Sequence, residues 1–224
     1  MHFVSLGRIS ASRALACASL ALMAAAAPTS VNAAPVLFNT DPFAGSTALA
    51  TPGRQVFSGQ ERTLPSFAVG QDSFVFDLGA FSAYAVSALH FLNAPSSAIP
   101  GSGFNVIVLQ DIDNDANPAT PFGAGNAANL IASRISTDGA GFFIYKNSVL
   151  DVNRLVFSTN LNDASADLSV LARIVSPTGQ AAIDTLPRFT ADNFVATVPE
   201  PSSVALIGAG LVGVAGLRKR QIKA

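Results

Sequence analysis

Between residues 34 and 197 the apolar positions come in short runs. Residues 74–78 read FVFDL, 86–92 VSALHFL, 104–109 FNVIVL, 142–145 FFIY, 154–158 RLVFS and 168–174 LSVLARI. Aromatic and β-branched residues fill these runs, and Gly, Pro, Asn, Asp and Ser bound them, the pattern of strands separated by turns. The stretch 141–174 reads as a meander: strand, turn over 146–151, strand, turn over 160–166, strand, with Asn162 and Asp163 supplying turn chemistry. Such runs predict a mainly β fold, a single antiparallel β-sandwich or jelly-roll-like domain rather than a parallel α/β sheet. One segment changes period. Ala127, Ala128, Leu130, Ile131 and Ile135 recur at helical spacing after Asn126, a residue that caps helices, so one short helix is expected over a sheet. Phe189 and Phe194 are assigned to a last strand or extended tail.

The two ends carry different patterns. Arg8 and Arg13 precede an uncharged run over 14–27 broken by Pro28, and Val31-Asn32-Ala33 places small residues where signal peptidase reads. This is the layout of a secretory signal peptide over 1–33, with cleavage expected between Ala33 and Ala34. Cys17 lies inside the apolar run rather than at its end, which argues against a lipid-modified cysteine.

At the other end, residues 204–213 read VALIGAGLVG, in which Gly208, Gly210 and Gly213 have the spacing of a dinucleotide-binding loop. That chemistry needs a following strand and an acidic residue about 20 positions on. Only eleven residues follow Gly213 and no Asp or Glu follows Glu200, so the nucleotide reading falls. Residues 204–217 instead form an uncharged stretch ahead of Arg218, Lys219 and Arg220. As a helix it would be about 21 Å long, short of a hydrocarbon core of roughly 30 Å. Local thinning or snorkelling bridges that gap, with the basic cluster on the cytoplasmic side. Ala205, Ala209 and Gly213 would share one face, either a close docking surface for a second backbone or the incidental result of a small-residue composition.

Just before this stretch stand Pro199, Glu200 and Pro201, where the prolines keep the chain extended. A Pro-Glu-Pro tripeptide, a short apolar segment and a terminal basic cluster, in that order over 198–220, resemble the PEP-CTERM sorting signal of Gram-negative bacteria. The resemblance implies that an exosortase, a membrane cysteine transpeptidase-like enzyme, recognises Pro199, Glu200 and Pro201 after transient anchoring in the inner membrane. The tail is then removed and the protein is released toward the cell surface. It also implies a setting of exopolysaccharide production and biofilm or floc formation. The expected organisation is signal peptide 1–33, extracellular β domain 34–197 and sorting signal 198–224, with its basic tail over 218–224.

Charge changes once the ends are set aside. The whole chain carries 13 basic and 14 acidic residues, a net charge of −1. Residues 34–197 hold seven basic against thirteen acidic residues, a net charge of −6. An acidic domain with one lysine, Lys146, is a poor partner for phosphate backbones, so nucleic-acid binding is set aside. The domain has no cysteine, so its stability comes from packing or bound ions rather than disulfides.

Catalytic chemistry is sparse. His90 is the domain's one histidine; with no cysteine and no second histidine there, thiol catalysis and His-based zinc sites are closed. A Ser-His-Asp triad would have to use His90, yet no G-x-S-x-G elbow is present. Glu61 is the domain's one glutamate, so a glycosidase carboxylate pair would need an Asp, and only the fold decides whether two carboxylates face each other. The remaining polar cluster is DIDNDANP over 111–118. Asp111, Asp113 and Asp115 alternate like the first half of an EF-hand, but Ala116 and Phe122 stand where Gly and Glu are required. Two readings stay open: a simple Ca²⁺ loop completed by backbone carbonyls, and a solvated turn that ends a strand. No cofactor beyond that candidate Ca²⁺ is expected.

The leading expectation is a non-enzymatic cell-surface or extracellular-matrix protein, whose partners are signal peptidase and exosortase during export and exopolysaccharide afterwards. The alternative is a carbohydrate-active enzyme or polysaccharide-binding module acting on the producer's polysaccharide. All but one of the sixteen phenylalanines lie in the domain, which has no Trp. They are read as core rather than as sugar platforms.

Overall fold

Two apolar runs do not alternate at all. In the run 106–109, VIVL, and again in GFFIY over 141–145, every residue is buried. A strand with one wet face alternates, whereas a strand covered on both faces has no polar positions to show. In the computed structural model, which describes residues 34–115 and 117–198, these two runs are neighbouring strands in the middle layer of the fold.

The elements in chain order are β1 (Pro35–Phe38), β2 (Val56–Phe57), β3 (Arg62–Leu64), β4 (Ser73–Asp77), β5 (Phe91–Ala94) and β6 (Val106–Leu109), then helix α1 (Ala124–Ala132). β7 (Gly141–Asn147), β8 (Val152–Ser158) and β9 (Leu168–Ile174) follow, then α2 (Gly179–Ile183) and β10 (Phe194–Thr197). A seven-stranded sheet has the order β2-β9-β8-β7-β6-β5, with β3 also pairing β9. A three-stranded sheet has the order β1-β4-β10.

The mainly β expectation holds, and so does the meander, since β7-β8 and β8-β9 pair antiparallel. The antiparallel sandwich or jelly roll does not describe the rest. β1-β4, β10-β4, β5-β6, β6-β7, β2-β9 and β3-β9 all pair parallel. The cause between β6 and β7 is the intervening helix. A chain that crosses back through a helix re-enters the sheet in its original direction, and a β-α-β unit is parallel for that reason. The run 86–92 is strand only from Phe91 onward. A one-turn 3-10 helix over Ser82–Tyr84 precedes that run.

The register of β8 on β9 slips between Leu155 and Val156, where Ala172 and Val170 are successive partners and Leu171 is extra. This bulge turns both Leu171 and Ala172 toward one core cluster. Gly141, at the start of β7, has no room for a side chain: a Cβ there would lie 2.4 Å from the Asn105 carbonyl oxygen. That same oxygen accepts the Phe142 N–H at 2.7 Å.

The helix starts earlier than its sequence signal indicates. Gly123, not Asn126, is the N-cap; Asn126 sits in the first turn and its Oδ1 accepts the Gly123 N–H at 3.3 Å. Ala124, Ala127, Ala128 and Ile131 are its buried face. A second helix, α2, was not expected from the pattern. It is five residues long, and Asn153 on β8 fastens it by donating to the Ala182 carbonyl at 2.8 Å.

The large sheet has two differently built faces. One meets the small sheet through a cluster that holds Phe38, Phe43, Phe67, Phe74, Phe76, Phe81, Phe142, Phe157, Phe189 and Phe194. The rings pack closely: Phe67 stacks on Phe74 with centroids 4.3 Å apart, and Phe76 meets Phe142 at 4.2 Å. The other face lies under α1 and is mostly aliphatic, with Ile107, Leu109, Val156 and Val170 against Ala127 and Ile131. Phe189 and Phe194 both belong to the core; Phe194 opens the last strand, whereas Phe189 follows a one-turn 3-10 helix over Leu186–Arg188 instead of lying in that strand.

Candidate functional site

Because β6 and β7 run parallel, the segments that follow them leave from the same end of the sheet. Loop 110–123 follows β6 and turn 148–151 follows β7, and between them lies a cleft of about 580 Å³. Clefts beyond the carboxyl ends of parallel strands are where open sheets place ligands. Ile112, Pro118, Pro121, Val149 and Ile183 supply its apolar walls, and Asp113, Asn117, Lys146, Ser148 and Asp151 its polar groups.

Lys146 is the centre of the polar set. It stands on β7 at 4 % exposure. A lysine reaches such burial only when its charge is matched, and its Nζ donates to Asp151 Oδ1. Asp151 holds a left-handed backbone, φ +56°, in the tight turn. Its second oxygen accepts the Gly179 N–H at the start of α2 at 2.9 Å. The Lys146 hydrogen bond, with help from its charge and from Gly179, holds the Asp151 carboxyl below the ordinary carboxylate range.

Opposite, the Phe122 N–H donates to Ser148 Oγ at 2.8 Å, with Asp113 Oδ2 at 3.4 Å. The Ser148 hydroxyl is the main cause that keeps the Asp113 carboxyl low. The Ser148 N–H also donates to the Phe122 carbonyl at 3.1 Å, so the loop and the turn are stitched together. The result is a depression with a buried ammonium, two ionised carboxylates and apolar walls, suited to a ligand with hydroxyl or amino groups. Sequence reasoning did not find Lys146 and Asp151. Their signal was the domain's lone lysine directly after an apolar run, where the turn was expected over 146–151 but β7 continues to Asn147.

The three alternating aspartates are used one by one. Asp111 accepts from the Ser96 N–H and from Ser96 Oγ at 2.7 Å, pinning the segment after β5. Asp113 faces Ser148 and Phe122, while Asp115 accepts from the Asn117 N–H at 2.9 Å and from Thr120 Oγ1 at 2.8 Å. Among the described residues no group of three or more His, Cys, Asp or Glu side chains is placed to hold a metal ion. These contacts are those of a hydrogen-bonded turn.

His90 is exposed at the entry to β5. Its backbone is bound, with its N–H donating to Asn105 Oδ1 at 2.7 Å. It lines a smaller depression of about 290 Å³ with Tyr84, Thr137 and Asp138 but no serine. Asp138 accepts instead from Asn160 Nδ2 at 3.0 Å and Asn162 Nδ2 at 3.3 Å, which hold its carboxyl low. Glu61 is likewise committed, paired with Arg154 at 2.9 Å.

Both ends of the described chain meet in the small sheet, since β1 and β10 flank β4. Ala34 donates its N–H to Asp72 Oδ1 at 2.8 Å. At the other end the Leu78 N–H donates to the Thr197 carbonyl at 2.9 Å, and the next residue, Val198, is 70 % exposed. Ala33, Pro199, Glu200, Pro201, the stretch 204–217 and Arg218, Lys219 and Arg220 lie outside the described residues. Among the described residues no helix is long and apolar enough to cross a membrane.

Residues 197–221 match the family model of the PEP-CTERM protein-sorting motif. The tripeptide Pro199-Glu200-Pro201 and the tail behind it are therefore a sorting signal, and they mark the chain as an exported protein addressed to an exosortase and the cell surface. The match covers the tail alone. No curated protein and no solved structure matches the chain.

Proposed function

We propose that this protein is a surface or extracellular-matrix component of a Gram-negative bacterium that accompanies exopolysaccharide in biofilm. It reaches that place by signal-peptide export, transient anchoring through residues 204–217 in the inner membrane and exosortase processing at Pro199-Glu200-Pro201. The observation that carries the reading is the sorting motif over 197–221, which begins at the last residue of β10. A last strand that ends one exposed residue before Pro199 offers the tripeptide to a membrane enzyme. Replacing Pro199, Glu200 and Pro201 together by alanine is expected to leave the full-length chain in the membrane fraction. Unchanged release of the shortened form would reject the sorting reading.

The cleft at the ends of β6 and β7 supports a binding role within that setting. Asp113, Asn117, Lys146 and Asp151 offer donors and acceptors in fixed positions for sugar hydroxyls, and the proline and aliphatic walls offer flat apolar surface. Hydrolysis of a glycosidic bond asks more, because one carboxyl must keep its proton near neutral pH. Asp113 and Asp151 are both held below the ordinary carboxylate range, which favours binding over hydrolysis. Soaking the purified protein with the producer's polysaccharide and following the Lys146 and Asp113 side-chain resonances by NMR tests this. Changes confined to cleft residues are expected, and release of reducing ends would instead establish the enzyme.

A further inference from the structure

Among the described residues, Asp72 is a buried carboxylate without a counter-charge. The residue is 6 % exposed, and neither ion pair found among the described residues includes it. Its oxygens accept only backbone N–H groups, Oδ1 from Ala34 at 2.8 Å and Oδ2 from Ala68 at 2.7 Å. A carboxylate at such depth normally has a cation beside it, because leaving water costs several kcal/mol otherwise. In the unprocessed chain Ala34 nitrogen is an amide and carries no charge. In a chain cut between Ala33 and Ala34 the same nitrogen is a terminal amine.

We propose that Asp72 is the docking site for the α-ammonium group of Ala34, so that removal of the signal peptide completes a partly buried ion pair and locks the mature fold. The proposal rests on the reading that signal peptidase cuts between Ala33 and Ala34. Hydrolysis of that amide places hydroxide on the Ala33 carbonyl and leaves the Ala34 nitrogen as an amine. With an ordinary pKa of about 8, it takes up a proton at neutral pH. The nitrogen already lies at hydrogen-bond distance, so no rearrangement is needed, and the neutral contact becomes a charge-assisted one, roughly twice as strong.

The position gives the pair reach. Ala34 precedes edge strand β1, which among the described residues pairs with β4 alone. Asp72 precedes β4, and its backbone carbonyl accepts Asn193 Nδ2 at 2.7 Å, immediately before β10. One residue thus fastens the first strand, the central strand and the last strand ahead of the sorting motif. Export processing at one terminus would firm the sheet that carries the other.

The test uses the exported, signal-processed chain, retaining the sorting signal, in detergent. Mass spectrometry of the intact protein first reads its N-terminus, expected at Ala34. Its thermal midpoint is then compared with that of a chain whose cleavage junction is moved so that Val31-Asn32-Ala33 remain. This keeps the Ala34 N–H but moves the charge away by about 10 Å of extended chain. The retained residues are expected to lower the midpoint by about 3 °C or more, and in the Asp72→Asn background the two chains are expected to melt together. A mature N-terminus elsewhere overturns the proposal at the cleavage step. Equal midpoints for the two Asp72 chains overturn it at the ion pair. Should Asp72→Asn fail to fold, acetylating the Ala34 amine of the mature chain gives the same comparison: a lower midpoint supports the pair and an unchanged one rejects it.

Discussion

Phe142 and Phe143 are neighbours on β7, both fully buried, yet they serve two differently constructed cores. Phe142 lies among rings, with Phe76 at 4.2 Å, Phe81 at 5.0 Å and Phe157 at 5.2 Å between centroids. Phe143 points the other way, where its one aromatic neighbour is Tyr145 at 6.0 Å and the cover is the alanine-rich face of α1. The difference follows from what closes each side. Two sheets pack about 10 Å apart, and large side chains from both must fill that gap. A single helix with Ala124, Ala127 and Ala128 on its inner face settles close to the sheet and needs little filling. Side-chain size in this core reports the kind of layer above it.

The largest expected effect comes from removing a ring on the sheet-to-sheet side. Phe142→Ala is expected to cost about 4–5 kcal/mol in chemical denaturation, because rigid rings held by two sheets collapse poorly into a cavity. Phe143→Ala is expected nearer 3 kcal/mol, since one short helix can shift inward. Equal losses would break the comparison. The reverse experiment, Ala127→Leu, is expected to destabilise by about 1–3 kcal/mol by forcing α1 away from the sheet. A neutral outcome would mean that the helix does not set the spacing.

Smaller effects separate the covers by their polar fastenings. Loop 110–123, which leads into α1, is held through Asp113, and turn 148–151 through Asp151. Both carboxyls lie below their ordinary value of 3.8. A depressed folded-state pKa contributes stability that is present above the unfolded value and lost as pH falls through the folded one. Acidification below about pH 4 is therefore expected to loosen the helix-side loops first. Hydrogen exchange at pH 3 should show deprotection of 110–132 before that of β4, and the opposite order would contradict the assignment. The smallest effect concerns calcium. With Asp111, Asp113 and Asp115 each spent on separate hydrogen bonds, millimolar Ca²⁺ is expected to leave the thermal midpoint unchanged. A rise would instead show binding to the folded state.

Much of this was legible from local pattern. The meander over 141–174 was read from short aromatic and β-branched runs bounded by turns, with an Asn-Asp turn, and the phenylalanines were read as core from their number and the lack of Trp. The helix was read from its spacing, although its cap was misplaced because the Asn126 side chain also bonds helix-start N–H groups from inside the first turn. Less legible was the direction of β6 relative to β7. The clue was there, a helix between two uninterrupted apolar runs, but short β-branched runs bounded by turns look alike in parallel and antiparallel sheets.

By itself, the sequence determined the address of this protein and the character of its core. The sorting motif over 197–221 is a linear signal, and burial preference needs no knowledge of partners. The tertiary structure alone decided which strands run parallel, and hence that a cleft opens beyond β6 and β7. It also brought Asp72 to Ala34, 38 positions apart. Such pairings are set by chain return and packing over long separations, which no local window of residues records.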